Sequence, residues 1–186
     1  NVQMIFQWAS EGNTAAEITR KLYAMNIPTP GEYRKSKGKD HYNVSRTHGV
    51  WSSSTVLRML EDQRYIGTYV IGKRKVREIG SRRVQLKDES EWFKIPDHHP
   101  AIVSMELFEK ANASIRRFSL PNKKRRDYLL RGKVFCGCCD HAMSLRNGAW
   151  FYCRHSEVAK ELPCYGVKVK MSELEQVVFD TTRAQM

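Results

Sequence analysis

The first 135 of the 186 residues contain no cysteine, and all five cysteines fall between positions 136 and 164. No stretch reaches the roughly 18 apolar residues that a membrane-spanning helix needs. The first twenty residues place acidic and polar side chains where a signal peptide would be apolar. A cytoplasmic protein with no membrane partner is therefore expected. Negative charge is also scarce: 20 Asp and Glu face 32 Lys and Arg, for a net charge of +12. Such a balance suits a polyanion, because each phosphate it neutralises releases condensed counterions. The basicity is local. Residues 31–48, 72–87 and 116–133 carry +3, +6 and +7, and the remainder is net acidic at −4. Solvated surfaces mix their signs more evenly, so these stretches mark three candidate contacts with a polyanion. Neither terminus carries a cap or stop signal, which reads as a piece of a longer protein.

Apolar residues then outline the elements. Val2, Ile5, Phe6 and Ala9 recur at helical spacing. Thr14 and Glu17 form a capping box that opens a second helix over 14–26, with Ala15, Ile18, Leu22 and Met25 on one face. Residues 28–48 read as a long basic loop rich in Pro, Gly, Ser, Lys and Arg. A third helix follows Trp51, capped by one of Ser52, Ser53 and Ser54, with Val56, Leu57 and Leu60 inward. Thr68–Arg74 and Arg82–Leu86 flank a Gly80-Ser81 turn and predict a basic hairpin. Trp92–Ile95 suits a short strand, and Ser104 caps a last helix that buries Leu107, Phe108, Ala111 and Ile115. Helices plus a hairpin suggest a winged-helix-like unit, although the loop before the third helix is too long for a tight helix-turn-helix. Residues 118–132, with Lys123, Lys124, Arg125 and Arg126, read as a basic linker.

The cysteines carry the most specific signal. Cys136, Cys139, Cys153 and Cys164 are spaced C-x2-C-x13-C-x10-C among short strands expected at 134–135, 143–146, 150–152 and 167–170. A C-x2-C turn lets two thiolates take adjacent corners of a tetrahedron around Zn²⁺, so the pattern is that of a zinc ribbon with one structural Zn²⁺. Disulfides are disfavoured by the odd cysteine count, and redox chemistry by the lack of a βαβ pattern. Cys138 is the expected non-ligand, with His141 and His155 near enough to substitute for a cysteine. A ribbon over 133–186 has too little apolar area to fold without its metal. The fold class is thus α+β, a small helical domain with a hairpin over 1–117 followed by the ribbon.

The runs WSSSTVLRMLEDQRYIGTYV at 51–70, HPAIVSMELFEKA at 99–111 and CGCCDHAM at 136–143, with Tyr152-Cys153, resemble the large serine recombinases. That family includes phage integrases and transposon recombinases. The resemblance implies a DNA-binding recombinase domain, a zinc ribbon, and from Ser172 the start of a coiled coil. It also implies that the serine nucleophile belongs to a catalytic domain missing here, so this piece would not itself be an enzyme. Partners would be a double-stranded attachment half-site and further recombinase subunits, in a bacterial or phage-encoded, nucleoid-associated protein. Candidate DNA contacts are Ser53, Ser54, Thr55 and Arg58 on the third helix, and Lys73, Arg74, Lys75, Arg82 and Arg83 on the hairpin. The linker basic run and, in the ribbon, Arg146 and Arg154 join them. Trp51, Trp92 and Trp150 are read as core residues rather than base-stacking platforms. Two rivals remain: a nuclease using His98 and His99, and a zinc ribbon that binds RNA or protein.

Overall fold

The computed structural model describes residues 1–39, 48–76, 80, 83–116 and 127–185. They form two compact units, one of Asn1–Ile18 with Ser53–Ser119 and one of Thr19–Ser52 with Leu120–Met186.

In the first unit, helix α1 (Val2–Ser10) lies against α5 (Met105–Arg116), and α4 (Ser53–Leu60) packs on both. The apolar spacing of α1 buries Ile5, Phe6 and Ala9. Phe6 stacks on Phe108 at 5.8 Å and meets the edge of Tyr65 at 5.7 Å. The Ser104 hydroxyl accepts the Leu107 N–H and opens α5 as the sequence predicts. Asn112 donates to the Leu60 carbonyl at 2.8 Å, tying α5 to the end of α4.

Four short strands follow α4: β1 (Tyr69–Ile71), β2 (Arg74–Val76), β3 (Val84–Leu86) and β4 (Phe93–Ile95). They form two antiparallel pairs, β2 with β3 and β1 with β4, in the registers Val76↔Val84 and Tyr69↔Ile95. The single arm expected over 68–74 is therefore split. Gly72, at φ +75°, turns the chain between β1 and β2 and sends the first half to pair with the strand after Trp92. Nearby, Gly67 sits at φ +84°, where a Cβ would lie 2.6 Å from the His99 carbonyl oxygen. No other residue fits that approach.

The second unit begins within α2 (Ala15–Ala24), whose Thr14–Glu17 capping box is present in both directions. The expected loop over 28–48 contains a helix, α3 (Pro30–Ser36). Thr29 and Glu32 form a second capping box with Pro30 in the first turn, so capping outweighs the run's loop-like composition. The Trp51 indole N–H donates to the Ile27 carbonyl at 3.0 Å, which satisfies a buried polar group in a mostly apolar setting.

The ribbon is a three-stranded antiparallel sheet, β5 (Ser144–Arg146), β6 (Trp150–Tyr152) and β7 (Lys168–Lys170), in that order. Asn147 and Gly148, both at positive φ, turn β5 into β6. Near the expected first strand, Phe135 makes an isolated bridge to Ala142. Helix α6 (Met171–Ala184) leaves the sheet, with Leu174 against the ribbon core and Val177, Val178 and Phe179 exposed. Among the described residues no helix is long and apolar enough to cross a membrane.

Candidate metal centre and nucleic-acid interface

Strand alternation divides the ribbon into two chemically opposite faces. Leu145, Phe151 and Val169 point inward onto Leu130, Met143 and four buried cysteines. The turn after Phe135 is closed by the Asp140 N–H donating to the Cys136 carbonyl at 2.7 Å, which brings Cys136 and Cys139 to one side. Cys153 follows β6 and Cys164 precedes β7. The Sγ atoms of Cys136, Cys139, Cys153 and Cys164 all lie within 4.8 Å of one another, Cys136 and Cys164 at 3.9 Å and Cys139 and Cys153 at 3.5 Å. A tetrahedron with zinc about 2.3 Å from each sulfur has edges of about 3.8 Å. The cluster has the size of the ion. Cys138 is exposed and directs its thiol at the Pro163 carbonyl, outside the cluster.

Without a metal Cys136, Cys153 and Cys164 differ in how readily they ionise. Burial opposes charge on Cys136, yet the N–H groups of Cys138 and Cys139 and its thiol neighbours hold its pKa down to about 7. Burial pushes Cys153 up to about 12, and pushes Cys164 well above the ordinary thiol range. A divalent cation is what lets all four become thiolates.

The outer face carries Ser144, Arg146, Trp150, Tyr152, Lys168 and Lys170. The Trp150 ring lies under Lys168 at 5.0 Å and Lys170 at 5.3 Å, and Tyr152 under the Arg146 guanidinium at 4.9 Å. Arg146 also pairs with Glu157 at 2.8 Å. Trp150 is thus a half-buried platform for cations on the sheet's outer side, where a core position was expected. Alternation along β6 explains it: Phe151 takes the inward place. Lys168, Lys170 and Tyr152 were missed in the sequence although the same alternation marks them. Arg154 is exposed just beyond β6.

In the first unit, Ser53 opens α4, Ser54 and Arg58 are exposed, and Thr55 is half-buried. Arg58 donates to the Ser54 carbonyl at 3.0 Å, so its guanidinium lies along its own helix. Arg74, Lys75 and Arg83 are exposed on the hairpin, while Lys73 sits over the Trp92 ring at 4.8 Å. Arg82 and the run Lys123, Lys124, Arg125 and Arg126 fall outside the described residues. A groove of about 620 Å³ between α4 and α5 is lined by Glu61, Glu89 and Glu109 together with Lys73. His98 stacks on Tyr69 and His99 bonds the Arg64 carbonyl at 2.7 Å, so both histidines fasten the turn beside β1. Among the described residues neither belongs to a cluster able to hold a metal, as the nuclease reading requires.

The family model described as Recombinase matches residues 1–118, and the one described as Recombinase zinc beta ribbon domain matches residues 129–183. The chain belongs to the Recombinase family. Together the two matches support a serine recombinase with a role in site-specific recombination. No protein of curated function and no solved structure matches it. The recombinase's buried thiols and its ribbon domain agree on a structural zinc. A closed four-thiolate site leaves no position for water, so the ion supplies folding energy rather than chemistry.

Proposed function

We propose that this chain is the DNA-binding portion of a large serine recombinase, which recognises an attachment half-site in double-stranded DNA. In this reading residues 1–117 form a winged-helix-like recombinase domain, 118–132 a basic linker and 133–186 the zinc ribbon. Cys136, Cys139, Cys153 and Cys164 hold one zinc ion, and α6 begins a coiled coil through which recombinase subunits meet. Strand cleavage belongs to a separate catalytic domain.

The observation that carries the reading is the ribbon's outer face. Three cations are braced over two rings on a rigid sheet whose other side is a metal centre. Braced cations lose less freedom when they meet a phosphate, and aromatic rings beneath them keep them from folding back. On α4, Ser53, Ser54, Thr55 and Arg58 are residue types suited to base edges and phosphates in the major groove. Arg74, Lys75, Arg82, Arg83, Arg154 and the linker cluster add backbone contacts. Those contacts position the protein without reading sequence.

Selection of the zinc-loaded chain against random duplex DNA tests the proposal. An enriched half-site of about ten base pairs or more is the expected outcome. Changing Lys168 and Lys170 together to Ala should reduce the salt slope of binding by about two. A zinc-loaded chain that enriches no duplex sequence would instead point to an RNA or protein partner.

A further inference from the structure

Beside the four thiols lies a second group of candidate ligands that shares only Cys139 with the first. Cys139 Sγ and one ring nitrogen each of His141 and His155 lie within 4.8 Å of one another. His155 is 2% exposed, and its Nδ1 is buried without a hydrogen-bond partner. The buried Nε2 of His48 likewise has no partner, and the His48 ring centre is 6.3 Å from that of His155. The His141 ring centre is 5.2 Å from His155 on another side. Buried polar atoms without partners are rare in folded proteins, and two of them in neighbouring histidine rings need an explanation. A core histidine serving only for packing would turn its ring nitrogens to a carbonyl or hydroxyl.

We propose that His141, His155 and Cys139 form a second zinc site next to the first, with Cys139 as the shared thiolate and His48 as the fourth ligand. Zinc accepts nitrogen and sulfur together, and a mixed tetrahedron has ligand–ligand edges of about 3.3–3.6 Å, so Cys139, His141 and His155 close on an ion by small side-chain movements, while His48, outside that trio, has further to swing. His141 Nδ1 lies 3.1 Å from the Cys139 carbonyl. Donation of that N–H leaves the lone pair on Nε2, the arrangement usual for a metal-bound imidazole. Charge points the same way. A zinc bound by four thiolates is a buried dianion, and a second divalent ion held by neutral imidazoles cancels it. The site also has a structural consequence, because His48 comes from the segment between α3 and α4 while the other ligands come from the ribbon. The second ion therefore fastens that segment to the ribbon within one unit.

The inference rests on the four-thiolate site being filled, and native mass spectrometry of the whole chain over a zinc titration separates the two. The expected result is two zinc ions per chain, the second weaker. His141→Ala and His48→Ala should each keep one ion and an unchanged circular dichroism spectrum, and should weaken the second by about 100-fold or more. Cys164→Ser should disturb the first ion instead. Saturation of the unaltered chain at one ion, with His141→Ala indistinguishable from it, overturns the second site and leaves the ribbon intact. Cobalt substitution covers the remaining possibility. One cobalt per chain with imidazole among its ligands would mean a single mixed site, and would also overturn the proposal. No bound metal at all would remove both sites.

Discussion

Around Phe6 the chain buries carbon, and around Phe151 it buries sulfur. The first unit closes on Ile5, Phe6, Ala9, Val56, Leu60, Val103 and Ala111, side chains whose burial is favourable without any added component. The buried cluster of the ribbon has seven members, of which four are cysteines. Thiols packed together gain little until a cation turns them into ligands. The contrast teaches what a short, loop-rich segment does when it lacks apolar area: it replaces part of a hydrophobic core with coordination bonds, and its stability becomes a property of metal supply.

The sharpest way to break this contrast is to take the zinc away. Structural zinc contributes an apparent binding free energy of about 10–16 kcal/mol in small zinc domains. Treatment with a strong chelator, or Cys164→Ser, should therefore abolish amide protection in β5, β6 and β7. Protection in α1 and α5 should survive. Hydrogen exchange followed residue by residue gives the answer, and a metal-free ribbon that keeps its protection would show the thiols to be an ordinary core.

The converse experiment is smaller. Phe6 is fully buried against Phe108 and Tyr65, and Phe6→Ala should cost the first unit about 3–5 kcal/mol through lost burial and a residual cavity. Zinc stoichiometry should not change. A urea titration monitored by helical circular dichroism, with zinc counted in parallel, would register any failure of this separation.

Acidity acts on one core and not on the other. With Cys153 pushed up to about 12 and Cys164 higher still, both hold protons at pH 7 in the metal-free cluster. Zinc must displace them, so its affinity falls as pH falls, by about tenfold per pH unit for each proton released. Competition with a chromophoric chelator between pH 6 and 8 measures the slope. A flat profile would mean that the thiols are already ionised and that the cluster is held open by something other than the metal.

How far these features were legible depends on what encodes them. Helices with caps and clean spacing were readable: Thr14–Glu17, Ser104 and the Ile5–Phe6–Ala9 stripe are all present as expected. The four cysteines announced their own meeting, since a C-x2-C turn fixes half of a tetrahedron locally. Helix α3 was missed because a basic, proline-containing run was judged by composition, although Thr29-Pro30-Gly31-Glu32 carries a start signal as strong as Thr14–Glu17. The Asn147-Gly148 turn carries an equally local signal that was not read. The partner of β1 was not legible, because pairing across 21 intervening residues is decided by tertiary packing rather than local preference. His48 was invisible for the same reason: nothing near position 48 says that its ring will face His155, more than a hundred residues away.

The smallest effect probes the ribbon's two faces against each other. Its inner face is fixed by coordination, whereas on the outer face Arg146 divides its guanidinium between the Tyr152 ring and Glu157. The Arg146–Glu157 pair is 2.8 Å apart with its side chains 47% and 63% exposed, and exposed pairs contribute about 0–1 kcal/mol. Glu157→Gln should accordingly leave zinc binding alone and shift folding stability by no more than about 0.5 kcal/mol. Its effect belongs to DNA. Loss of the carboxylate removes a repulsive charge and releases Arg146 toward a phosphate, so duplex affinity should rise a few-fold and the salt slope steepen by about one. If affinity and slope stay where they were, Arg146 faces solvent in the complex, and the contact surface must be sought on Lys168, Lys170 and the hairpin of the first unit.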